Sequence, residues 1–433
     1  MRLDVNVNFA KLNHILIPST KAGRDRFREG WVGKVAWPII FFYESLSEEG
    51  RMLAVLALIV GGFGQDVRNA EIYVLWCVLV GVLVGAFAMR PFFPLTGVSI
   101  DVMVPKRVTI GEEIVFALTF QNDGPRDHHA IRVGGPFLPW DGKWAGDPPR
   151  VRRLEQGGRA RVEMRARFIE RGEHHLDPFR AAALVPLGLS QGKGIVSTGC
   201  RFLVVPKIAR VVRLTLPVGR RHQPGGVALA SKTGESMDLL GVRPYRVGDP
   251  MRDIHARSWA RTGVPVVREY QEEYFSRIGV VVDIDTGDER RLEAAISLAA
   301  GVVAYLSRGE ALIDLLVVGD RVHDLTLGRS LGYLEQALDL LACVEAGKRH
   351  AAKGERLDPD ALVGRLSAHL SRLTCVIVIA LESDGDALAE RIRGFGVGCL
   401  TLRVLKPGEA GERYRDAIEV GADSIERGEA LSL

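Results

Sequence analysis

The sequence predicts three kinds of structure in series: an N-terminal transmembrane helical hairpin, an antiparallel β-sandwich and a C-terminal α/β domain. Two uncharged apolar runs, 52–65 and 72–89, predict the hairpin. Short alternating strands after Pro94 predict the sandwich. Strand and helix patterns that alternate after Gly279 predict the α/β domain. A chain of 433 residues has room for two or three domains.

The run 72–89 is long enough to cross a bilayer as a helix and is apolar on all faces. The run 52–65 is shorter and needs flanking residues to do the same. Two buried helices of a soluble protein are the alternative. A signal peptide is not expected, because about fifty polar and mixed residues precede the first run and no cleavage-like motif follows it.

The flanking charges predict the orientation of the hairpin. Basic residues lie on both outer sides, whereas the loop between the runs has only Arg68, balanced by Asp66 and Glu71. By the positive-inside rule, both termini and the soluble domains face the cytoplasm at the inner membrane, and the protein is multi-pass. The net charge of +4 and the pI of about 8.8 agree with basic residues near anionic lipid. Nucleic-acid binding is not expected, because no dense basic face is apparent.

The sandwich is predicted from about Gly97 to Pro206. Residues 114–120 form one expected strand, which ends at the turn Asn122-Asp123-Gly124. Residues 159–168 alternate charged and apolar side chains, the pattern of a strand with one face in water.

A charged and aromatic segment, 243–273, separates the sandwich from the α/β domain. It contains the turn signal Val247-Gly248-Asp249-Pro250 and is followed by a buried apolar strand. Such a segment is typical of an interface. We predict that Arg243, Asp249, Arg252, Arg261 and Glu269 form an ion-pair network that holds it in place.

This segment resembles the signature of the domain of unknown function 58 family. The matching residues are Arg243, Tyr245, Gly248, Asp249, Arg252, Ile254, His255, Ala260, Arg261, Thr262, Gly263, Val267, Arg268, Glu269 and Glu273. One departure is clear: Ala256 replaces the family's tryptophan, and Trp259 stands where Ser or Thr is usual. The resemblance implies a von Willebrand factor A-like α/β domain with a Rossmann-like sheet. It also implies a partner among the AAA ATPases of the MoxR family.

The chain is therefore divided into five parts: a basic cytoplasmic N-terminal segment 1–50, two transmembrane helices 51–90, the sandwich 97–206, a linker with the signature 207–276, and the A-like domain 277–433. The strands expected in the last part are 279–284, 311–318, 374–381 and 398–404, with a possible edge strand at 322–325. The expected helices are 289–307, 330–345, 359–373, 387–395 and 409–420.

The resembled domains often hold Mg²⁺ with D-x-S-x-S after the first strand, a later Thr and a late Asp. Here Asp283 keeps the first position, Asp285 replaces the first Ser and Gly287 replaces the second. Ser330 is the candidate for the Thr, and Asp384 or Asp386 for the late Asp. This degenerate set predicts at best weak Mg²⁺ binding. The alternative is that these residues cap the helix that begins near 289.

Known catalytic motifs are absent from the sequence: there is no phosphate-binding loop, H-E-x-x-H or G-x-S-x-G. The pairs His128-His129 and His174-His175 are expected to be structural or exposed, because adjacent residues on a strand point to opposite faces. The five cysteines are widely spaced and predict reduced thiols. The sequence thus favours a non-enzymatic membrane-anchored scaffold in complex assembly, cofactor insertion or envelope stress. A metal-dependent hydrolase acting at Asp283 and Asp285 is the alternative.

Overall fold

The computed structural model describes residues 30, 41–42, 45–63, 70–217, 239–270, 277–284, 288–309, 311–318, 322–327, 331–344, 364, 370, 373–381, 384–406 and 417–433. The protein is rich in β-structure, with several sheets and a few helices. It divides into two compact units, Met1–Val205 and Pro206–Leu433.

The first unit begins with two helices, α1 (Glu48–Phe63) and α2 (Ala70–Ala88), followed by a 3₁₀ turn at Arg90–Phe92. The two helices pack on each other through a small apolar cluster that includes Ala57 and Leu83. Within the described residues, one helical segment, Glu71–Phe92, is long and apolar enough to cross a membrane, and 11% of its most apolar window is buried. Length and composition therefore support one membrane anchor, and the expected multi-pass topology has no such support.

Three sheets follow, with strand orders β1-β3-β7-β5, β10-β9-β4-β6 and β2-β11-β8. Their strands are β1 Val98–Met103, β2 Arg107–Thr109, β3 Glu113–Asn122, β4 His128–Gly134, β5 Gly142–Trp144, β6 Arg150–Leu154, β7 Arg159–Phe168, β8 Gly172–Leu176, β9 Arg180–Ala183, β10 Ile195–Val196 and β11 Cys200–Val205. β2 and β11 pair in parallel, so this region is not antiparallel throughout as expected.

One apolar core serves these sheets. Phe116 of β3, Phe168 of β7 and Phe202 of β11 meet there, with ring centroids 5.8 Å apart for Phe116–Phe202 and 5.1 Å for Phe168–Phe202. The alternation predicted for 159–168 is confirmed: Met164 is buried and Arg165 beside it is exposed. Each charged residue of β7 therefore stays in water while its neighbours supply the core.

The second unit contains the strands β12 Val211–Arg213, β13 Leu239–Pro244, β14 Val266–Tyr270, β15 Arg277–Asp283, β16 Leu312–Val318, β17 Val322–Leu327, β18 Cys375–Ala380, β19 Gly398–Leu405, β20 Ala417–Gly421 and β21 Leu431–Ser432. Its helices are α3 Ala256–Thr262, α4 Glu289–Leu306, α5 Leu331–Cys343, α6 Asp384–Gly394 and α7 Ala422–Glu426. Six strands form one sheet in the order β17-β16-β15-β18-β19-β20.

All neighbours in this sheet are parallel except the edge strand β17, which is antiparallel to β16. Five consecutive residues of β15 are buried, as expected for a strand covered on both faces. Val281 of β15 packs in a core cluster with Leu388 and Ile392 of α6. Arg277 at the start of β15 forms an ion pair with Asp314 of β16.

The helix predicted for 409–420 is wrong at its C-terminal end, because Ala417–Gly421 is strand β20. Its backbone pairs with β19, for example Leu402 with Ile418. A run of five residues is too short for its periodicity to distinguish a helix from a strand. Residues 407–416 and most of the predicted helix 359–373 lie outside the described residues.

Candidate functional site

The signature segment folds around an antiparallel pair, β13 and β14, in which Arg243 lies opposite Val267. The chain between these strands contains a 3₁₀ turn at Met251–Asp253 and the short helix α3. Gly263 ends α3 with φ +72°, a conformation that glycine adopts without strain, and its N–H donates to Trp259 O at 2.9 Å.

Backbone hydrogen bonds tie the connecting chain to the strands. Tyr245 N donates to Pro265 O and His255 N to Val266 O, both at 2.8 Å. The His255 ring nitrogen Nδ1 lies 2.6 Å from Ser258 Oγ, one turn into α3. His255 therefore makes a local contact with the start of α3.

An ion pair closes the turn that carries Gly248. Arg243 donates Nη1 and Nη2 to the two carboxylate oxygens of Asp249, at 2.7 and 2.8 Å. Asp249 Oδ2 also accepts from Arg246 N at 2.8 Å. These hydrogen bonds, that of Arg243 first, lower the pKa of Asp249 from 3.8 to about 2. Glu269 Oε1 lies 3.7 Å from Arg243 Nε.

The structure thus brings together three of the five residues predicted to form a network: Arg243, Asp249 and Glu269. The side chains of Arg252 and Arg261 are exposed, as is that of Arg268. None of these three arginines has an ion pair with another described residue. Most of the charge of the segment is therefore available to solvent.

Four apolar side chains of the same segment are also exposed: Val247 is 101% exposed, Met251 74%, Val264 52% and Trp259 43%. Residues 239–270 contain six arginines and three carboxylates, a net charge of +3. Exposed apolar groups among exposed arginines are typical of a protein-binding surface. Val247 was recognised only as part of a turn, and neither Met251 nor Val264 was predicted to be exposed. Apolar residues inside a charged turn were the signal that could have found this surface.

The predicted metal site is only partly described. Asp283 lies at the carboxyl end of β15, opposite Val318. α6 begins at Asp384, just after β18, which neighbours β15 in parallel. Both residues thus lie at the same edge of the sheet. Asp285 and Ser330 lie outside the described residues, and so do the side chains of Asp384 and Asp386.

No group of three or more His, Cys, Asp or Glu side chains placed to hold a metal occurs in the described part of the chain. The residue that caps α4 is Asp288, whose Oδ1 accepts from Arg290 N at 3.1 Å, and Asp288 is not among the residues named in the capping alternative. Weak Mg²⁺ binding at Asp283 stays a prediction.

The histidine pairs have structural contacts. His128 is buried, with Nε2 3.1 Å from Thr96 O, and its neighbour His129 is exposed. His174 Nε2 lies 2.7 Å from Asp141 Oδ2, and its ring stacks on Phe202. Burial alone would lower the pKa of His174, but the hydrogen bond and the charge of Asp141 outweigh it and the pKa is raised. None of the five cysteines, all of which lie in the described residues, forms a disulfide.

No protein-family model matches the chain, and no curated protein matches it. Solved structures match parts of it with low overall similarity. The CARDB domain of the PF1109 protein from Pyrococcus furiosus is 12% identical, with 26% of this chain and 90% of that domain covered and a TM-score of 0.18. Native alpha-2-macroglobulin from Escherichia coli, from domain MG7 to the C-terminus, is 11% identical, with 27% of this chain and 20% of that one covered and a TM-score of 0.19.

Proposed function

We propose that this chain is a non-enzymatic scaffold, anchored in the inner membrane, that presents its C-terminal α/β domain to a cytoplasmic protein. The observation that carries the proposal is the surface of the signature segment, where Val247, Met251, Val264 and Trp259 are exposed. A turn closed by the Arg243–Asp249 ion pair supports this surface. A binding surface on a preorganised support loses less conformational entropy on association.

The charge of the surface defines the chemistry of the partner. A net charge of +3 over residues 239–270 favours an acidic partner with an apolar pocket. Trp and Arg are the side chains that most often dominate binding energy, and both occur here. The signature resembles that of the domain of unknown function 58 family, whose implied partner is a MoxR-type AAA ATPase. A role in complex assembly or envelope stress follows from that resemblance.

The anchor is proposed to be a hairpin in which α1 and α2 both cross the membrane, so that both termini lie in the cytoplasm. The packing of α1 on α2 and the basic residues that flank them favour this arrangement. The six-stranded sheet of the second unit, with its antiparallel edge strand, supports the assignment as a von Willebrand factor A-like domain.

Equilibrium binding tests the proposal. The full chain in lipid nanodiscs is titrated with a purified MoxR-type ATPase of the same organism. We expect Trp259→Ala to weaken binding by about thirtyfold, because a central tryptophan contributes roughly 2 kcal/mol or more. Ile169→Ala is the matched control, since Ile169 is 62% exposed but belongs to the first unit. Equal affinities of the wild-type and Trp259→Ala proteins would contradict the proposal.

A metal-dependent hydrolase acting at Asp283 and Asp285 is the second candidate. The strand order of the six-stranded sheet favours this second candidate. β15 lies between β16 and β18, so the strand order reverses at β15. Ligands of open α/β sheets bind at such a point of reversal. Asp283 lies at the end of β15 that faces this crevice. Hydrolysis of a substrate panel that depends on Mg²⁺ and is lost in Asp283→Ala would favour the enzyme over the scaffold.

A further inference from the structure

A groove of about 430 Å³ lies in the second unit, between the chain 208–212 and the C-terminal end of helix α4. On the helix side it is lined by Gly301, Ala304 and Tyr305 of α4, and by Arg308 just beyond the end of the helix. Residues with this spacing lie on one face of a helix. A groove of this volume is large enough to bury part of a ligand.

Gly301 allows the chain 208–212 to lie directly on the helix. A Cβ at this position would overlap the carbonyl oxygen of Ala209. One turn earlier in α4, Ser297 O accepts a hydrogen bond from Ala209 N at 3.1 Å. These two backbone contacts set the distance between the two walls of the groove at this point.

The chain that forms the second wall continues into β12, which is an edge strand. β12 pairs in parallel with β21 in a two-stranded sheet, so within the described residues its other edge has no strand beside it. Leu431 N donates to Arg210 O and Leu433 N donates to Arg213 O, both at 2.8 Å, on the side of β21. A free strand edge offers backbone N–H and C=O groups to an extended chain, which is a common mode of peptide recognition.

Two arginines give the groove a positive charge. Arg210 lies on the wall formed by the chain 208–212 and Arg308 on the wall formed by the helix, and both side chains are exposed. Neither side chain has a hydrogen bond or an ion pair with another residue of the described part of the chain. The described residues that line the groove include no carboxylate. The groove therefore favours an anionic ligand, and guanidinium groups bind carboxylates through paired N–H donors.

Apolar groups lie beside these cations. Ile208 and Val212 are exposed on one wall, and Ala304 and Tyr305 lie on the other. Exposed apolar surface rimmed by charged residues marks an interaction site. A ligand that matches this groove combines a carboxylate with an apolar group.

We propose that this groove binds an extended acidic segment of a partner protein. A Glu or Asp side chain of that segment binds Arg210 and Arg308, and a neighbouring apolar side chain packs on Ile208 and Val212. A peptide fits better than a small carboxylate, because its backbone also pairs with the free edge of β12. None of these residues belongs to the signature segment, so the inference goes beyond the proposed scaffold function and does not depend on it.

Selection from a phage-displayed library of random linear peptides tests the proposal. The library is first depleted on the double variant Arg210→Gln/Arg308→Gln and then selected on the wild-type full chain, both in the same nonionic detergent. Depletion removes phage that bind elsewhere on the protein, including the signature segment. We expect the remaining peptides to contain Asp or Glu beside an apolar residue.

Synthetic copies of the selected peptides locate the site. Each should bind the wild type at least about tenfold more tightly than Arg210→Gln or Arg308→Gln, because each variant removes a charged donor. Both side chains are exposed, so these variants should keep the Tm of the wild type. Arg268→Gln is the matched control and should bind like the wild type, because Arg268 is exposed in the same unit but does not line the groove.

Competition separates a peptide from a simple anion. Replacing the carboxylate of a selected peptide by the corresponding amide should weaken its binding by about tenfold, whereas sodium acetate or phosphate at constant ionic strength should not displace it. Complete displacement by either salt would overturn the assignment of a peptide. Failure to enrich any peptide after depletion, or enriched peptides that lack a carboxylate, would overturn the site.

Discussion

The ion pair between Arg277 and Asp314 allows the stability of the second unit to be tested quantitatively. Arg277 donates Nε and Nη2 to the two oxygens of Asp314, at 2.9 and 3.0 Å. The side chain of Asp314 is 3% exposed and that of Arg277 is 23% exposed. Asp314→Asn keeps the volume but removes the charge, and one of the two acceptors becomes a donor that faces the guanidinium.

Breaking a buried ion pair costs roughly 3–5 kcal/mol. Because water reaches part of Arg277, we expect the low end, about 3 kcal/mol. Thermal unfolding of a unit of this size shifts by about 2–4 °C for each kcal/mol, so the Tm of the second unit should fall by about 6–12 °C. In the full chain, the backbone amides of β15 and β16 should exchange roughly a hundredfold faster in the Asp314→Asn variant than in the wild type.

Two further variants control for other causes. Asp324→Asn changes an exposed carboxylate on the neighbouring strand β17 and should shift stability by no more than about 0.5 kcal/mol. Arg277→Met combined with Asp314→Leu replaces both charges by apolar groups and should recover most of the loss. If Asp314→Asn and Asp324→Asn unfold alike, the ion pair does not hold these strands together.

Two other predictions concern the signature turn and the base of the helices. The pKa of Asp249 is lowered from 3.8 to about 2, so the stability that its ion pair gives is complete above about pH 4 and is lost as the pH falls toward 2. Carboxyl ¹³C NMR of the aspartate-labelled chain, with the Asp249 signal assigned from the Asp249→Asn variant, measures this pKa. A value near 3.8 would show that the pair does not form. Gly50 lies against the carbonyl of Leu189, with no room for a Cβ, whereas Gly62 has open space. Gly50→Ala should therefore speed hydrogen exchange in the loop 189–191 while Gly62→Ala should not, and identical exchange in the two variants would contradict the packing of α1 on this loop.

The sequence predicted best those elements whose local pattern and burial agree. The buried run around Val281 defined β15, and the start of α4 was predicted near 289, where it lies. The residue that caps this helix, Asp288, was not named in advance. β20 was missed because its five residues are too few for their periodicity to distinguish a strand from a helix. The parallel pairing of β2 with β11 was missed for another reason: these two strands lie far apart in the sequence, so no local pattern predicts their contact.

In the candidate site, the composition identified the segment but not its internal pairing. Six arginines were available to Asp249, and the turn at Gly248, with φ +108°, brings Arg243 to it. Turn geometry of this kind is decided by the positive-φ position rather than by charge. Because Arg243 is the arginine that pairs with Asp249, Arg252 and Arg261 are left exposed. The charge pattern alone could not predict which of the arginines forms the pair.

Photo-crosslinking in native membranes tests the central claim most directly. A photoreactive amino acid replaces Met251, which is 74% exposed in the signature segment, and in a second chain replaces Ile169, which is 62% exposed in the first unit. The account predicts a crosslink from position 251 to a MoxR-type AAA ATPase and none to it from position 169. A correctly folded chain that gives no such crosslink at position 251, or the same crosslink at both positions, would contradict the assignment of the signature segment as the partner-binding surface.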